Sequence, residues 1–579
     1  MAVEKRWIQK EHGDPRAVSE LAEALAIDAL LANLLVQRGI TSFAAAKSFF
    51  RPQLSDLHDP FLMKDMDKAV ERLEKAVEGK EKIMVYGDYD VDGTTAVALM
   101  YSFLKALGAT VSYFIPDRNI DGYGVAYRSI DVAAGEGVTL MVALDCGIKA
   151  VEKVAYAREK GIDFIICDHH LPEESLPDAA AVLDPQRPDC PYPYKHLSGC
   201  GVGYKLLQAF CEHRGVASDT LAPLLDLVAV SIASDVVQLT GENRVLMHYG
   251  LLRLNTNPRK GFRAIIRRAG FQQQPLGVSD IVFRIGPRIN AAGRIASGQT
   301  AVDLLTSETD ATADLVSDVI NTNNNDRKNI DHSMTLEAIR LITDDPQQAS
   351  KKATVLYNPG WHKGVVGIVA SRLIEQFYRP TIVLTNSNGL VTGSARSIPG
   401  FDLYQAIEAC APLLVSYGGH THAAGLTMKP ENVEAFIRQF EEVANERIAP
   451  EMLVPQLEVD EALSFADITP RFLRILAQLG PFGPGNMQPV FATRRVYSNG
   501  SNIRIVGTDS DHLKCELIQE CTPNLAMPAI AFGMAHFFDY LRSGKPVDVC
   551  YTLLENTYCG KTTVQLRIKD IKASKEEQA

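Results

Sequence analysis

Three carboxylates alternate within the segment GDYDVDG (87–93): Asp88, Asp90 and Asp92. On extended backbone the side-chain period of two puts them on one face. Three like charges that close repel strongly unless a cation compensates them. A solvated acidic turn is the plainer alternative. The pattern also opens like a calcium loop, but an EF-hand needs Glu at loop position 12, and counting from Asp88 that position is Leu99. Further acid and imidazole groups follow apolar runs: Asp145 in DCG (145–147), Asp168-His169-His170, and Asp235 inside LVAVSIASDVVQL (227–239). A carboxylate in so apolar a setting needs a partner, because burying an unpaired charge is costly. Taken together, Asp90, Asp92, Asp145, His169 and Asp235 suit two divalent ions, Mn²⁺ or Mg²⁺, with His favouring Mn²⁺. Two such ions about 3.5–4 Å apart activate water and stabilise both oxygens of an in-line phosphoryl displacement.

The elements that must carry these residues alternate. Short apolar runs at 83–86, 111–115, 140–144, 163–167 and 180–183 are separated by helical stretches. That alternation predicts a mainly parallel sheet in an α/β domain. Four of the runs end at GDYDVDG, PDR (116–118), DCG and DHH. Ligand sites in such sheets gather beyond the carboxyl ends of the strands, so these loops are expected to converge.

The remaining chain divides by pattern. Residues 1–75 read as an N-terminal helical segment without evident chemistry, 76–245 as the metal-binding domain, and 246–345 as a basic segment followed by a long connector. Gln299 to Asp345 contains no Gly or Pro. Leu315, Val319, Ile330, Met334 and Ile342 fit one side of a helix of about 30 residues. The polar stretch Asn321–Asn325 leaves two shorter helices as the alternative. Residues 346–450 read as a second α/β lobe, and 455–573 as a strand-rich β-barrel of the OB type. The tail KASKEEQA reads as disordered. The fold class is therefore α/β: two lobes joined by a long helix, with a C-terminal barrel.

Across 579 residues the net charge is −11, which argues against a surface that binds nucleic acid everywhere. The sign reverses locally. Arg244, Arg253, Arg259, Lys260, Arg263, Arg267 and Arg268 occur between 244 and 279 without a single acid. Arg284, Arg288 and Arg294 extend the run, and a basic wall beside a metal site would guide a strand. In the second lobe Arg396 and Ser397, with His362 and Arg372, supply donors, while Gly418, Gly419 and His420 would let backbone N–H groups approach an anion. Phe491, Tyr497, Phe532 and Phe537 suit either base stacking on the barrel or its core. The ten cysteines form no CxxC pair, and no apolar run could span a bilayer. A cytoplasmic, reduced protein without membrane attachment is expected.

DYDVDG, DCG, DHH and SIASDVV, in that order, resemble the metal motifs of the DHH phosphoesterase superfamily. GPRINAAGR (286–294), WHKGVVGIVASRL (361–373), GSARSIPGFDL (393–403) and GGHTHAAG (418–425) resemble the RecJ exonuclease group. Ala395 stands where Gly is commoner in that group. The resemblance implies a single-strand-specific 5′→3′ DNA exonuclease of recombination and repair. It implies that Asp90 and Asp92 each hold one ion, that Asp145 bridges both, and that His169 and Asp235 complete the second site. Asp88, Asp168 and His170 would act around these ligands or on substrate. Arg118 and Arg396 would grip a 5′ phosphate, with Arg288 also on the strand. A single-strand binding protein and a repair helicase are implied partners of a monomer. Two other functions fit the metal motifs: a small-substrate phosphohydrolase, which has no need of the barrel or the basic stretch, and a non-catalytic scaffold, which has no need of a full ligand set.

Overall fold

The computed structural model describes residues 4–118, 120–122, 124–270, 275–558 and 561–574. They form two compact units. One comprises residues 52–453 and 483–485, the other residues 1–51, 454–482 and 486–579.

The chain enters the second of these through a short strand, β1 (Arg6–Gln9). The larger unit begins its sheet work at β2 (Lys82–Gly87), followed by β3 (Thr110–Phe114), β4 (Leu140–Leu144), β5 (Asp163–Cys167) and β6 (Ala181–Leu183). These five pair in the order β3-β2-β4-β5-β6, all parallel, as the sequence predicts. β4 is buried at every position, which a strand covered on both faces requires. Helices Val91–Ala106, Gly199–His213 and Leu225–Ser234 contribute to the same core.

The connector is one helix, Asp310–Thr343, of 34 residues, about 50 Å long at 1.5 Å per residue. Asn321–Asn325 does not break it. Its buried strip differs from the predicted one: Ala313, Ser317, Ile320, Asn324, Asp331, Met334, Ala338 and Ile342. Met334 and Ile342 face inward as expected, but Leu315 and Val319 are 71% and 51% exposed. The helix packs on a partly polar stripe, so the apolar pattern alone points to the wrong side of its first half.

The second lobe carries β7 (Thr354–Tyr357), β8 (Thr381–Ser387), β9 (Leu390–Arg396), β10 (Leu414–Gly419) and β11 (Ala423–Met428). Their order is β10-β11-β9-β8-β7, with only β7 and β8 parallel.

In the other unit, β12 (Gln456–Val459) pairs in parallel with β1, and β13 (Glu461–Ala462) opens a seven-stranded sheet. That sheet continues through β14 (Phe491–Tyr497), β15 (Arg504–Val506), β16 (His512–Gln519), β17 (Ala526–Ala531), β18 (Val547–Tyr558) and β19 (Lys561–Ala573). A second pairing, β14 with β16, curls it toward closure. The N-terminal helices join this core: Leu31, Leu34 and Leu35 are buried with Phe465, Phe472 and Phe491. The Asn33 amide donates to Glu461 Oε2 at 2.8 Å. Residues 575–579 of the tail lie outside the described residues.

Candidate metal centre and anion cleft

The ends of β2, β4 and β5 and the C-terminus of helix Leu225–Ser234 bring the predicted acids together. Asp92 sits in the first turn of Val91–Ala106 and is buried. Three donors hold it: Gly199 N and Cys200 N donate to its two oxygens at 2.7 and 2.8 Å, and Ser231 Oγ, itself bonded to Ser198 Oγ at 2.6 Å, donates to Oδ1 at 2.7 Å. Asp145 directly follows β4, with φ 60°. A non-glycine residue held there is strained, and such strain gathers at functional sites. Val236, directly after Asp235, is held likewise at φ 59°. Asp90 caps the helix, accepting from Gly93 N at 3.0 Å. Gly93 is required: a Cβ there would lie 2.3 Å from Asp88 O.

His169 Nε2 lies 3.1 Å from Asp145 Oδ1, 3.6 Å from Asp235 Oδ2 and 3.7 Å from Asp92 Oδ2. It is buried and makes no hydrogen bond, and Asp88 Oδ1 is in the same state. Two groups place three ligand atoms within 4.8 Å of one another: Asp92, His169, Asp235, and Asp145, His169, His170. Asp90 is in neither group but lies close enough to raise the pKa of Asp88. Burial first, and then the charge of a neighbouring acid, pushes Asp88, Asp90, Asp145 and Asp235 above the usual carboxylate range. Burial lowers His169, which favours the neutral imidazole a metal needs. An orphaned imidazole nitrogen among three such oxygens fits divalent Mn²⁺ or Mg²⁺.

Asp168 organises the loop. Its oxygens accept from Ile148 N at 2.9 Å, His169 N at 2.8 Å and His170 N at 3.2 Å, and His170 Nδ1 lies 2.7 Å away. Burial opposes both charges, yet this pair holds Asp168 at about 2 and His170 up at about 9.

A second cluster is cationic. Arg118 lies over the Tyr89 ring, 5.2 Å from its centroid. Arg294 donates to Gly364 O at 3.0 Å, tying the first lobe to the second. Burial, and then Arg118, Arg327 and Arg396, bring Arg294 down to about 10. Arg396, on β9, is lowered by burial and by Arg118, and donates to Ser394 Oγ at 3.0 Å and Ala395 O at 2.8 Å. Guanidinium groups crowded this way call for an anion. Of these, Arg294 belongs to the basic run that the sequence marks as strand-guiding, whereas Arg327 does not. Arg294 closes GPRINAAGR, but nothing local shows that Arg327 meets it.

Other predicted donors are already engaged. Arg372 pairs with buried Asp331 at 2.7 Å. His362 Nδ1 accepts from Gly364 N at 3.1 Å. Ser397 Oγ donates to Phe401 O at 2.8 Å, and its N–H to His422 O. Gly418 and Gly419 end β10, paired with Gly425 and Ala424 of β11, and His420 begins the exposed turn between them, where its N–H donates to Ala423 O at 2.8 Å. Arg288 bonds Asn321 Oδ1 at 3.3 Å and Arg284 O at 2.6 Å.

The basic wall does not stand as expected. Arg259, Arg263, Arg267 and Arg268 pair with Asp226, Asp310, Asp314 and Asp318. The last three acids recur every four residues on one side of the long helix. Arg263, Arg267 and Arg268 fasten Lys260–Arg268 to that helix, Arg259 is held by Asp226 on helix Leu225–Ser234, and Arg244 is buried. On the barrel, Phe491 is core, whereas Phe532 is 45% exposed beneath Arg567.

Among the described residues no helix is long and apolar enough to cross a membrane. Three family descriptions match the chain: DHH family, N-terminal domain, over 82–232; DHHA1 domain over 350–446; and RecJ OB domain over 459–570. A single-stranded-DNA-specific exonuclease RecJ of Bacillus subtilis is 36% identical over 99% of this chain and 72% of its own. That of Dickeya dadantii is 34% identical over 96% and 98%. The crystal structure of RecJ in complex with Mn²⁺ from Thermus thermophilus superposes with TM-score 0.83 at 29% identity, covering 99% of this chain and 80% of that one.

Proposed function

The chain belongs to the RecJ family, and from that premise we propose that it hydrolyses single-stranded DNA from the 5′ end, nucleotide by nucleotide. It is a metal-dependent single-strand DNA exonuclease with Mn²⁺ or Mg²⁺ as cofactor. The observation that carries the reading is His169 Nε2, buried without a hydrogen bond among Asp92, Asp145 and Asp235.

The ligands are Asp90, Asp92, Asp145, His169 and Asp235, spread over residues 76–245. When bound, two divalent ions activate water and neutralise charge on the phosphate under attack. The chain does the rest. Gly199, Cys200 and Ser231 fix the Asp92 carboxylate, and such outer contacts are worth about 10–100-fold in metal affinity or activity. Asp168 holds His170 by Nδ1, which keeps the ring charged and so suited to donate to the substrate phosphate or the departing oxygen. Asp88 supports the loop beneath Asp90. Arg118, Arg294 and Arg396 take the terminal 5′ phosphate, with Arg327 reinforcing them. Holding that end beside the metals sets the polarity. Ser397, His362, Arg372, Gly418, Gly419 and His420, within 346–450, shape the wall around this grip, and Arg288 meets the strand further along. The barrel adds affinity for the single strand. A monomer working in the cytoplasm with a single-strand binding protein and a helicase fits family membership.

Arg396→Ala tests the grip. The KM for a 5′-phosphorylated single strand should rise about tenfold, with little change for a 5′-hydroxyl strand and none in Mn²⁺ affinity. Equal changes for both strands would count against a terminal phosphate at Arg396.

A further inference from the structure

The arginines of Lys260–Arg268 are spent on acids, but Arg288 and Lys328 of a different row are not. That row follows helix Gly286–Ile295 and the neighbouring edge of the long helix. Arg288 is anchored to Arg284 O and Asn321. Lys328 is exposed on the long helix, and among the described residues no carboxylate lies within ion-pair distance of it or of Arg288, whereas neighbouring Arg327 pairs with Asp331 at 3.8 Å. Burial lowers Lys328, and so do Arg288 and Arg327, whose charges are both close to it. Arg327 in turn adjoins Arg294. The row therefore continues the anion cleft outward, from the grip at Arg294 to the turn that precedes the helix.

That turn is a single wide helical turn of the π type, Ile281–Ile285. Such turns are rare and frequent at functional sites. Ile281 and Ile285 are fully buried, whereas Phe283 between them is 76% exposed. The turn is fixed against the metal centre: a Cβ on Gly286 would lie 2.8 Å from Ser234 Oγ, the residue before Asp235. At its other end the helix abuts the Asp90 loop, where a Cβ on Gly293 would lie 2.6 Å from Tyr89 O. An isolated exposed apolar residue means little. A rigidly presented ring in the turn whose Arg284 carbonyl accepts from Arg288, beside a metal centre, matches what binds single strands without regard to sequence.

We infer that Phe283 and Lys328 form an outer subsite for the substrate strand, Phe283 stacking on a base and Lys328 contacting a phosphate beyond the nucleotides at the metals. This rests on the single-strand exonuclease reading. The subsite is base-independent, because every base has a face to stack. It serves polymers and not the shortest products.

The test compares a 5′-phosphorylated dinucleotide with an oligothymidylate of about twenty nucleotides, both with Mn²⁺. Phe283→Ala should raise KM for the oligomer about tenfold, leave its kcat unchanged, and change KM for the dinucleotide by less than about twofold. Phe283→Trp should restore the oligomer KM. Lys328→Met should lower the slope of log affinity against log salt for the oligomer by about one. Unchanged oligomer KM and salt slope in both variants would overturn the subsite, as would equal losses on the two substrates. A wild-type protein that degraded no single strand would instead overturn the function on which the subsite rests.

Discussion

Gly199 is the position where the packing of this site can be tested with one methyl group. A Cβ there would lie 2.5 Å from Asp145 Cβ and 2.7 Å from both Asp145 Cα and Oδ1. Ordinary contact needs about 1 Å more. Neither partner can yield it cheaply. Asp145 is already held at φ 60° at the end of a buried strand, and the Gly199 N–H is committed to Asp92 at 2.7 Å. The displacement would therefore be shared between Asp145 and Asp92. Functional groups tolerate about 0.5 Å, and a 1 Å misplacement costs about 100-fold. Gly199→Ala should lower kcat on a single-stranded oligonucleotide about 100-fold and weaken Mn²⁺ binding, in a protein that still folds. Gly201→Ala is the control on the same helix. Its Cβ meets Ser198 Oγ at 3.3 Å and Leu197 Cβ at 3.5 Å, so it should retain most activity. Metal titration by calorimetry and single-turnover cleavage read both effects. Equal activity in the two variants would refute the argument that this approach sets the metal geometry.

Asp145→Ala should abolish cleavage even at saturating Mn²⁺ and reduce the number of ions bound, read by calorimetry; wild-type-like turnover would refute its place in both sites. Asp184 is fully buried, with Oδ1 accepting from Gln186 N at 2.7 Å and Oδ2 unpartnered. Burial pushes it up to about 7. Between about pH 4 and pH 7 the folded chain thus keeps a proton that the unfolded chain has lost, so this group makes stability fall as pH rises through that window and level off above it. Asp184→Asn should stabilise the metal-free protein by about 2 kcal/mol near pH 8 and leave it unchanged near pH 4, measured by denaturant titration. Arg267→Ala should leave the salt dependence of DNA binding unchanged because Asp314 already holds that charge, whereas Arg288→Ala should reduce the slope by about one.

The parallel sheet and its acids were legible because both signals are local. Four of the five apolar runs stop at a loop that carries chemistry, and strand ends in such sheets converge. Asp235 was legible for another reason: a lone carboxylate in an apolar helix is costly without a partner. What escaped was long-range. The acids that neutralise Arg263, Arg267 and Arg268 lie about 50 residues on, across a helix pair, so a run of cations looked available when it was not. Leu315 and Val319 misled because the long helix buries Ser317 and Asn324 instead. The N-terminal helices showed no sign of joining the barrel, since the contacts that join them, the packing of Leu31, Leu34 and Leu35 on Phe465, Phe472 and Phe491 and the pairing of Arg6–Gln9 with Gln456–Val459, are more than 400 residues apart in the chain. Ser231 was hidden in plain view: a hydroxyl in LVAVSIASD, four residues before Asp235, which turns out to orient Asp92.

The central claim is that this set of acids and imidazole, with its cationic grip, removes nucleotides from the 5′ end of single strands. The most direct test is Mn²⁺-dependent digestion of one oligonucleotide, labelled at either end and offered single-stranded or as a blunt duplex. The account predicts mononucleotides released from the 5′ end of the single strand alone, and none after chelation of the metal. Release from the 3′ end, equal attack on the duplex, or hydrolysis confined to pyrophosphate and the shortest oligonucleotides would contradict it.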